Sequence, residues 1–201
     1  MGEVLLTGLL AGVAIAAPVG PIGLLCIRRS IVAGRGAGLA TGLGAAAADG
    51  TYGLAVATGI AASGLVAHYG DQMQIFGGVL LLLIGLNTAR GFWRARPNAV
   101  ASNGGGSLIS AFASTYLLTL SNPMTMLAFV AMIAGLGQAA GSYTFAPIVL
   151  VAGVFLGSAL WWLFLVQLAL WARQRINGNA LRWLDLLSGS AISLWGLSML
   201  L

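Results

Sequence analysis

The chain has 201 residues, of which 59% are hydrophobic and 6% are charged, and its mean hydropathy is +0.98. Soluble domains have about 25% charged residues, so this composition excludes a soluble globular protein and indicates an integral membrane protein. The net charge of +5 does not indicate nucleic-acid binding, because the arginines form three separate clusters between apolar segments. With one cysteine, Cys26, and one histidine, His68, we expect no internal disulfide, no zinc site and no cofactor.

Six apolar stretches are long enough to cross a bilayer, which takes about 20 residues of helix. Glu3 stands where a secretory leader has basic residues, so we expect the first stretch to be a retained helix. The chain is therefore predicted to be all-α, a single transmembrane domain over residues 1–201 with six transmembrane helices. The predicted spans are approximately residues 4–27, 37–62, 73–91, 110–136, 146–171 and 183–201.

The connections between these stretches alternate between basic and non-basic. The second connection, with His68 and Asp71, and the fourth, at residues 138–144, lack arginine. Cytoplasmic loops are enriched in Lys and Arg, so we predict a multi-pass protein of the cell inner (plasma) membrane with both termini outside. The basic connections hold Arg28, Arg29 and Arg35, then Arg90, Arg94 and Arg96, then Arg173, Arg175 and Arg182.

The third connection divides the chain into two halves of three helices each. Repeat one covers about residues 1–96, and repeat two covers about residues 110–201. Between them, residues 97–109 contain three consecutive glycines and predict a flexible cytoplasmic linker. Because each half has an odd number of spans, the halves have opposite orientations. We therefore predict two inverted three-helix repeats.

The first helix of each half, helices 1 and 4 of the six, carries a proline-containing break. Pro18 lies 14 residues after Val4, and Pro123 lies 13 residues after Ser110, so both breaks lie about 20 Å along their helices. Proline-interrupted segments at corresponding positions of two repeats indicate the binding site of a secondary transporter. The break residues are Pro18, Gly20 and Pro21 in one half and Asn122 and Pro123 in the other.

Asp49 is the one acid that lies deep in a predicted span. It follows Ala37 by 12 residues, which places it about 18 Å from the cytoplasmic end, at a depth where an unpaired charge is unfavourable. Burial favours a neutral carboxyl and a nearby ammonium favours the carboxylate, so Asp49 can carry a proton or hold a substrate amine. The alternative is a structural aspartate bonded to unwound backbone, Thr51 or Tyr52.

Polar and aromatic residues near these positions complete the predicted site. The half-helix after each break begins with unbonded N–H groups and the positive end of the helix dipole, which attract a carboxylate. Structural alternatives exist, because prolines also kink ordinary membrane helices and a tryptophan pair also packs against neighbours or lipid. The predicted substrate- and ion-binding residues are Pro18, Gly20, Pro21, Asp49, Tyr52, Thr119, Asn122, Pro123, Trp161 and Trp162.

Glycines recur at four-residue spacing, which lets helix backbones approach closely. These faces predict packing between helices and permit a homodimer without requiring one. Arg28 and Arg29 are interpreted mainly as residues that set the orientation of the chain in the membrane. The alternative is that they attract an anionic group at the inner mouth. The glycine sets are Gly8 with Gly12, Gly34 with Gly38 and Gly42, and Gly153 with Gly157.

The motifs of both halves resemble the LysE-type amino-acid efflux family, which includes lysine exporters and homoserine/threonine exporters. The first half carries Pro-x-Gly-Pro at residues 18–21, a glycine-rich run with Gly-Arg at residues 34–44, and then Asp49. The second half carries Asn-Pro at residues 122–123 and Gly-x-x-x-Gly-Ser-x-x-Trp-Trp at residues 153–162. The resemblance covers nearly the whole chain. It implies export of amino acids or related small metabolites from the cytoplasm, driven by proton antiport.

A single deep acid favours a neutral zwitterion as substrate over lysine or arginine. The substrate carboxylate would lie near the half-helix ends after Pro21 and Pro123, and its amine would face Asp49. This arrangement requires as partners a small amino-acid substrate, protons and the lipid bilayer, and no nucleic acid.

Other interpretations stay open. A cation or metal exporter of the same superfamily would use Asp49 as a ligand, although the neighbouring amide, hydroxyl and thioether groups make a poor site for a divalent ion. A non-transporting accessory subunit is a further alternative. An enzyme is not expected, because His68 is predicted in an outside loop and no second catalytic group accompanies Asp49.

Overall fold

The protein is described by a computed structural model that covers residues 1–58, 65–93, 107–122, 125, 129, 146–176 and 178–201. All regular secondary structure in this part of the chain is helical. Most of the predicted linker 97–109 and residue Pro123 lie outside the described residues. The helices are α1 (Gly2–Ala16), α2 (Pro21–Ala33), α3 (Arg35–Ala57), α4 (Leu65–Ala89) with a 3-10 turn at Arg90–Phe92, α5 (Leu108–Leu120), α6 (Ala146–Arg173) and α7 (Gly178–Ser198).

The first predicted span is broken at its proline motif. α1 ends at Ala16, α2 begins at Pro21, and the chain bends by 84° between them. Pro21 occupies the first helical position, where the missing N–H removes no helix hydrogen bond. Gly20 before it has an extended backbone, with φ −96° and ψ −161°. The break predicted in the first helix is therefore present.

Several helices have the length and the apolar surface of membrane-spanning segments. Tyr69–Phe92 and Pro147–Arg173 are each long and apolar enough to cross a bilayer, and the bent pair α1–α2 is a third if it counts as one span. These segments match the first, third and fifth predicted spans. Large apolar side chains on their surfaces, such as Leu83 and Leu163, are exposed. Helices that face lipid have such surfaces, so this is an integral membrane protein.

Glycine faces bring α1 and α6 into direct backbone contact. Gly8 and Gly12 pack on the turns of α6 that hold Gly153 and Gly157. A Cβ added to Gly8 would lie 2.9 Å from the Cα of Gly153, a distance that allows no side chain. The predicted packing role of these two glycine pairs is confirmed within one chain, and the homodimer stays a prediction.

Two glycines of the third predicted set, Gly34 and Gly42, have different roles in the structure. Gly42 packs on the side chain of Trp162, as predicted for a close helix contact. Gly34 instead has φ +90° and forms the turn between α2 and α3. Glycine adopts this left-handed conformation at little energetic cost, so the turn requires Gly34 for its backbone conformation.

The helix pairs follow the pattern expected of two related halves. α1 packs on α6 and α5 packs on α3, so the first helix of each half contacts the second helix of the other half. The two second helices, α3 and α6, contact each other, as do the two third helices, α4 and α7. Each of these four contacts has a counterpart, or is its own counterpart, on exchange of the predicted halves; α2 also contacts α6 and α7, and the described residues show no counterpart of those two contacts.

Arginine contacts bring four helix ends together in a region that we call the basic end, defined by Arg28, Arg29 and Arg182. Arg28 Nε donates to Asp185 Oδ1 at 2.7 Å and joins the end of α2 to the start of α7. Arg182 Nε donates to the Phe92 carbonyl at 3.0 Å and joins α7 to the end of α4. Arg29 joins α2 to the first turns of α5. Segments from all three predicted basic connections therefore meet at one end of the bundle.

The prediction of an outside loop at His68 and Asp71 is wrong. Both residues lie in α4, which begins at Leu65. The 25 residues of α4 extend about 37 Å at about 1.5 Å per residue, whereas the hydrocarbon core is about 30 Å thick. The first turns of α4 can therefore lie beyond the hydrocarbon, where polar residues are tolerated within a helix.

Candidate functional site

A cavity of about 480 Å³ lies at the break between α1 and α2. This volume is within the range of small-molecule sites, about 300–1,000 Å³. Its walls include residues of α1, α3, α5, α6 and α7 in addition to the break itself. The predicted binding residues that line it are Pro18, Gly20, Pro21, Asp49, Thr119, Asn122 and Trp162. The structure thus brings together side chains that lie more than 140 positions apart in the sequence.

Two predicted binding residues do not line the cavity. The hydroxyl of Tyr52 donates to the carbonyl of Leu120, and its ring stacks on Phe129 with centroids 5.3 Å apart. Trp161 packs beside Phe164, with ring centroids 5.6 Å apart. Tyr52 therefore supports the end of α5, just before the second break, from outside the cavity.

Asp49 is held by a hydroxyl from the other half of the chain. Its side chain is 3% exposed, and Ser158 Oγ on α6 donates to its Oδ2 at 2.6 Å. The indole N–H of Trp162 in turn donates to Ser158 Oγ at 3.2 Å. Thr51 bonds instead to the carbonyl of Ala47. Within the described chain Asp49 forms no ion pair, so its carboxyl has the capacity to accept an ammonium or a proton.

The first turn of α2 lies on the cavity wall. Leu24 N–H makes the first helix-type bond, to the Gly20 carbonyl at 3.1 Å. Ile22 and Gly23 precede it in the helix, and both line the cavity. N–H groups in this position, together with the helix dipole, favour a carboxylate.

Thr119 contributes a hydroxyl near the second break. Its side chain is 3% exposed, and its Oγ1 has no hydrogen-bond partner among the residues that the structure describes. Asn122 and Thr125 line the same cavity, three and six positions further along the chain. The end of α5 and the residues that follow it therefore bring polar side chains to the wall that contains Asp49.

The guanidinium of Arg29 is bonded to oxygens of α3 and α5. It donates to Ala111 O at 3.0 Å, Ser114 Oγ at 2.9 Å, Thr115 Oγ1 at 3.0 Å and Thr41 Oγ1 at 3.2 Å. Since Arg28 pairs with Asp185, both arginines join helices of different halves. The geometry favours a packing role over attraction of an anion at the inner mouth.

Three polar or aromatic residues of the site were missed in the sequence: Thr125, Ser158 and Trp195. Ser158 lies 12 residues after Ala146, or about 18 Å along α6 at about 1.5 Å per residue, which matches the predicted depth of Asp49. Ser158 could have been identified from its hydroxyl, which lies one turn before Trp162 in a mostly apolar helix. Trp195, near the end of α7, also lines the cavity, and no local pattern distinguishes it from the other tryptophans.

The described residues contain no group of three or more His, Cys, Asp or Glu side chains that could hold a metal ion. The cavity wall instead has one carboxyl group, neutral hydroxyl and amide groups, and the N-terminus of α2. Such a set fits a small ligand that carries both a cationic and an anionic group.

Comparisons with known proteins identify a family model and a relative that match nearly the whole chain. A family model described as LysE type translocator matches residues 13–201, which include all the predicted binding residues. The chain is also similar to a Bacillus subtilis (strain 168) protein named "Putative amino acid efflux protein YcgF", with 26% identity over 196 residues. The match covers 96% of this chain and 93% of that protein. No solved structure matches the chain significantly.

Proposed function

The chain belongs to the LysE type translocator family, and we propose that it exports amino acids or related small metabolites from the cytoplasm by proton antiport. The observation that carries this proposal is the buried carboxyl of Asp49 on the wall of a cavity at a helix break. The similarity to a protein named for amino acid efflux supports the substrate class.

The proposed architecture has six spans in two inverted repeats, residues 1–96 and 110–201, joined by the linker 97–109. The reciprocal packing of α1 on α6 and of α5 on α3 supports it, because inverted repeats form such contacts in pairs. The meeting of α2, α4, α5 and α7 at the basic end supports the alternation of the spans. With the basic end cytoplasmic, both termini lie outside the plasma (inner) membrane.

In the proposed binding mode the substrate bridges the two charged features of the cavity. Its ammonium faces Asp49, the one acid on the described wall. Its carboxylate lies at the first turn of α2, near the N–H groups of Ile22 and Gly23, where the helix dipole favours an anion. Asn122, which lines the same cavity, belongs with Pro123 to the second proposed break, in the other repeat.

Proton coupling follows from the chemistry of a single buried acid. A charged carboxylate out of water is unfavourable unless a cation or a proton compensates it. Asp49 therefore holds either a proton or the substrate ammonium, and each displaces the other. Export results when an amino acid from the cytoplasm displaces the proton and a proton from outside later displaces the amino acid.

The test is efflux from cells loaded with a panel of amino acids. It compares an empty vector, the wild type, Asp49→Asn and the matched control Asp71→Asn, which changes an exposed acid in α4. We expect selective efflux by the wild type and Asp71→Asn, and none by Asp49→Asn at equal expression. Full efflux by Asp49→Asn would refute the role of Asp49. No efflux of any panel member by the wild type would refute amino-acid export and favour an accessory subunit.

A further inference from the structure

We infer that the two carboxyl oxygens of Asp49 have different roles: Oδ2 is held by a chain of two donors from α6, and Oδ1 exchanges a proton for the substrate ammonium. Trp162 is a positioning residue in this chain, because its indole N–H orients the Ser158 hydroxyl that binds Oδ2. The inference rests on the proposed function, since it names the atom at which proton and substrate compete.

Both hydrogen bonds of this chain have a direction that follows from the chemistry of their groups. An indole N–H only donates, so Ser158 Oγ accepts from Trp162 Nε1 at 3.2 Å. A hydroxyl has a single proton, and Ser158 donates it to Asp49 Oδ2 at 2.6 Å. Ser158 is fully buried, so bulk water does not compete for this hydroxyl. Oδ2 therefore has a donor from the protein itself.

Ser158 differs from other serines of the bundle in where its hydroxyl points. The hydroxyls of Ser30, Ser188 and Ser193 donate to the carbonyl four residues earlier in their own helices, a common bond for a serine within a helix. Ser158 donates instead across to α3, and the N–H of Trp162 reaches its oxygen from the next turn of α6. Because this N–H occupies one lone pair of Ser158 Oγ, it favours the orientation that binds Asp49.

Close packing fixes the indole of Trp162. Gly42 on α3 lies directly against it, and a Cβ added to Gly42 would be 2.7 Å from the Cβ of Trp162, too close for any side chain. Trp162 is 7% exposed and packs in a buried cluster with Leu165 and Val166. Its ring also lines the cavity. Since the indole N–H is bonded to Ser158, the side chain of Trp162 has no polar atom left for a substrate.

The second carboxyl oxygen of Asp49, Oδ1, has no hydrogen-bond partner among the residues that the structure describes. In the same part of the chain, the fully enclosed polar side-chain atoms that lack a partner are Thr119 Oγ1 and Trp161 Nε1. Oδ1 is not one of them, so part of its surface is accessible, and Asp49 lines the cavity. Because Oδ2 already accepts from Ser158, a proton or an ammonium in the cavity binds at Oδ1.

No other charged side chain competes for Oδ1 on the described cavity wall. Tyr52, three residues after Asp49, donates its hydroxyl proton to the carbonyl of Leu120. The other ionisable side chains on α3 and on the helices packed against it are bonded elsewhere or lie at helix ends. They are Cys26, Arg28 and Arg29 on α2, Arg35 on α3, Tyr116 on α5 and Arg173 on α6.

The exchange at Oδ1 is a proton transfer followed by a hydrogen bond. On the cytoplasmic side the Oδ1–H bond breaks, the proton leaves to water, and an N–H of the substrate ammonium donates to Oδ1. On the outer side a proton returns to Oδ1 and the ammonium leaves with all its own protons. The bond from Ser158 to Oδ2 stays in place and stabilises the carboxylate between these steps, since hydrogen bonds to an ionised acceptor are strong.

The first test is infrared difference spectroscopy of the full-length protein in liposomes, between alkaline and acidic buffer. The C=O stretch of protonated Asp49 is the band that Asp49→Asn lacks. With the proton on Oδ1, the carbonyl oxygen is Oδ2, and its hydrogen bond from Ser158 lowers the frequency. We expect Ser158→Ala and Trp162→Phe to raise the frequency. Trp171→Phe, which removes an exposed indole from the same helix, should leave it unchanged.

This measurement needs no transport, so it separates failure of the inference from failure of amino-acid export. An unchanged frequency in Ser158→Ala would overturn the assignment of Oδ2. An unchanged frequency in Trp162→Phe, or the same shift in Trp171→Phe, would overturn the role of Trp162. If the wild type has no Asp49 band at acidic pH, proton binding is refuted, and the proposed antiport and the inference fall together.

The second test is a double-mutant cycle of efflux, measured per mole of monodisperse protein. We expect Trp162→Phe to slow efflux about fivefold, the same factor as Ser158→Ala, as for one lost hydrogen bond. The double variant should also be slowed about fivefold, because Trp162 acts through Ser158 and the two effects do not add. Slowing by about 25-fold, the product for independent sites, or an unchanged rate in Trp162→Phe would overturn the positioning role.

Discussion

Acidic side chains are buried between the two halves at two places, and their surroundings differ. Asp49 is 3% exposed and Asp185 is 5% exposed, so burial alone does not distinguish them. Asp185 lies at the basic end and is paired with the guanidinium of Arg28 at 2.7 Å. Asp49 lies on a cavity wall, and its one donor within the described ranges is a neutral hydroxyl, that of Ser158, at 2.6 Å.

The two places differ in whether the charged groups already have binding partners within the protein. At the basic end, Arg28 has a carboxylate and Arg29 has four oxygen acceptors, so these charges hold helices together. At the cavity, Asp49 has capacity for a cation or a proton and a space in which to meet it. A charged group that its own protein already binds from several helices therefore indicates structure, and one with unused capacity on a cavity wall indicates a ligand.

The largest expected effect is at Asp49. Asp49→Ala should reduce efflux at least about 100-fold, because losing one partner of a buried charge pair weakens binding by about 2–5 kcal/mol. The melting temperature should stay close to that of the wild type, since without substrate the carboxyl of Asp49 holds a proton and its removal breaks no ion pair. Efflux is measured per mole of monodisperse protein, and the melting temperature is measured by thermal unfolding in detergent. Preserved efflux with a lowered melting temperature would make Asp49 a structural residue like Asp185.

Substitution of Asp185 by alanine should lower stability and leave efflux unchanged, the opposite of the result expected for Asp49→Ala. Asp185→Ala leaves Arg28 without its partner and should lower the free energy of unfolding by about 2 kcal/mol, less than for a fully buried pair. Efflux per folded molecule should be retained. The double variant Arg28→Met with Asp185→Leu should recover most of the stability, because neither charge is then left alone. Wild-type stability of Asp185→Ala would contradict this description of the basic end.

A smaller loss is expected at Arg29. Arg29→Lys keeps the charge but cannot reproduce the planar fork that reaches four oxygens. We expect a decrease of about 1 kcal/mol in stability, as for a typical net hydrogen bond. Arg35→Lys, at an exposed position, is the matched control and should behave as the wild type. If the two lysine variants unfold at the same temperature, the contacts of Arg29 do not stabilise the bundle.

The smallest effect is expected at Ser158. Ser158→Ala removes the one described donor to Asp49 and should slow efflux about fivefold, the equivalent of about 1 kcal/mol for one hydrogen bond. Ser193→Ala, which removes a hydroxyl bonded to its own helix, should leave efflux unchanged. Equal rates for the two variants would show that Ser158 does not position the carboxyl.

Features that depend on local chemistry could be predicted from the sequence. Pro18 and Pro21 predicted the break in the first helix, because a missing donor and a ring clash act within one turn. Gly8 and Gly153 predicted close helix contacts, since small residues allow them whichever helix faces them. The rarity of charge in an apolar helix was enough to single out Asp49.

Features that depend on how helices rotate against each other could not be predicted. The hydrogen bond of Ser158 to Asp49 and the place of Trp195 on the wall require the packing of α6 and α7. The ion pair between Arg28 and Asp185 joins residues 157 positions apart, and no local sequence pattern predicts it.

Coupled proton and amino-acid movement tests the central claim most directly. The wild type and Asp49→Asn are placed in liposomes loaded with leucine and a pH-sensitive dye, and the outside is diluted free of leucine. We predict that leucine leaving through the wild type acidifies the lumen, because each exit exchanges for an entering proton at Asp49, and that Asp49→Asn gives neither signal. Leucine efflux without acidification, or the same acidification in Asp49→Asn, would contradict the account.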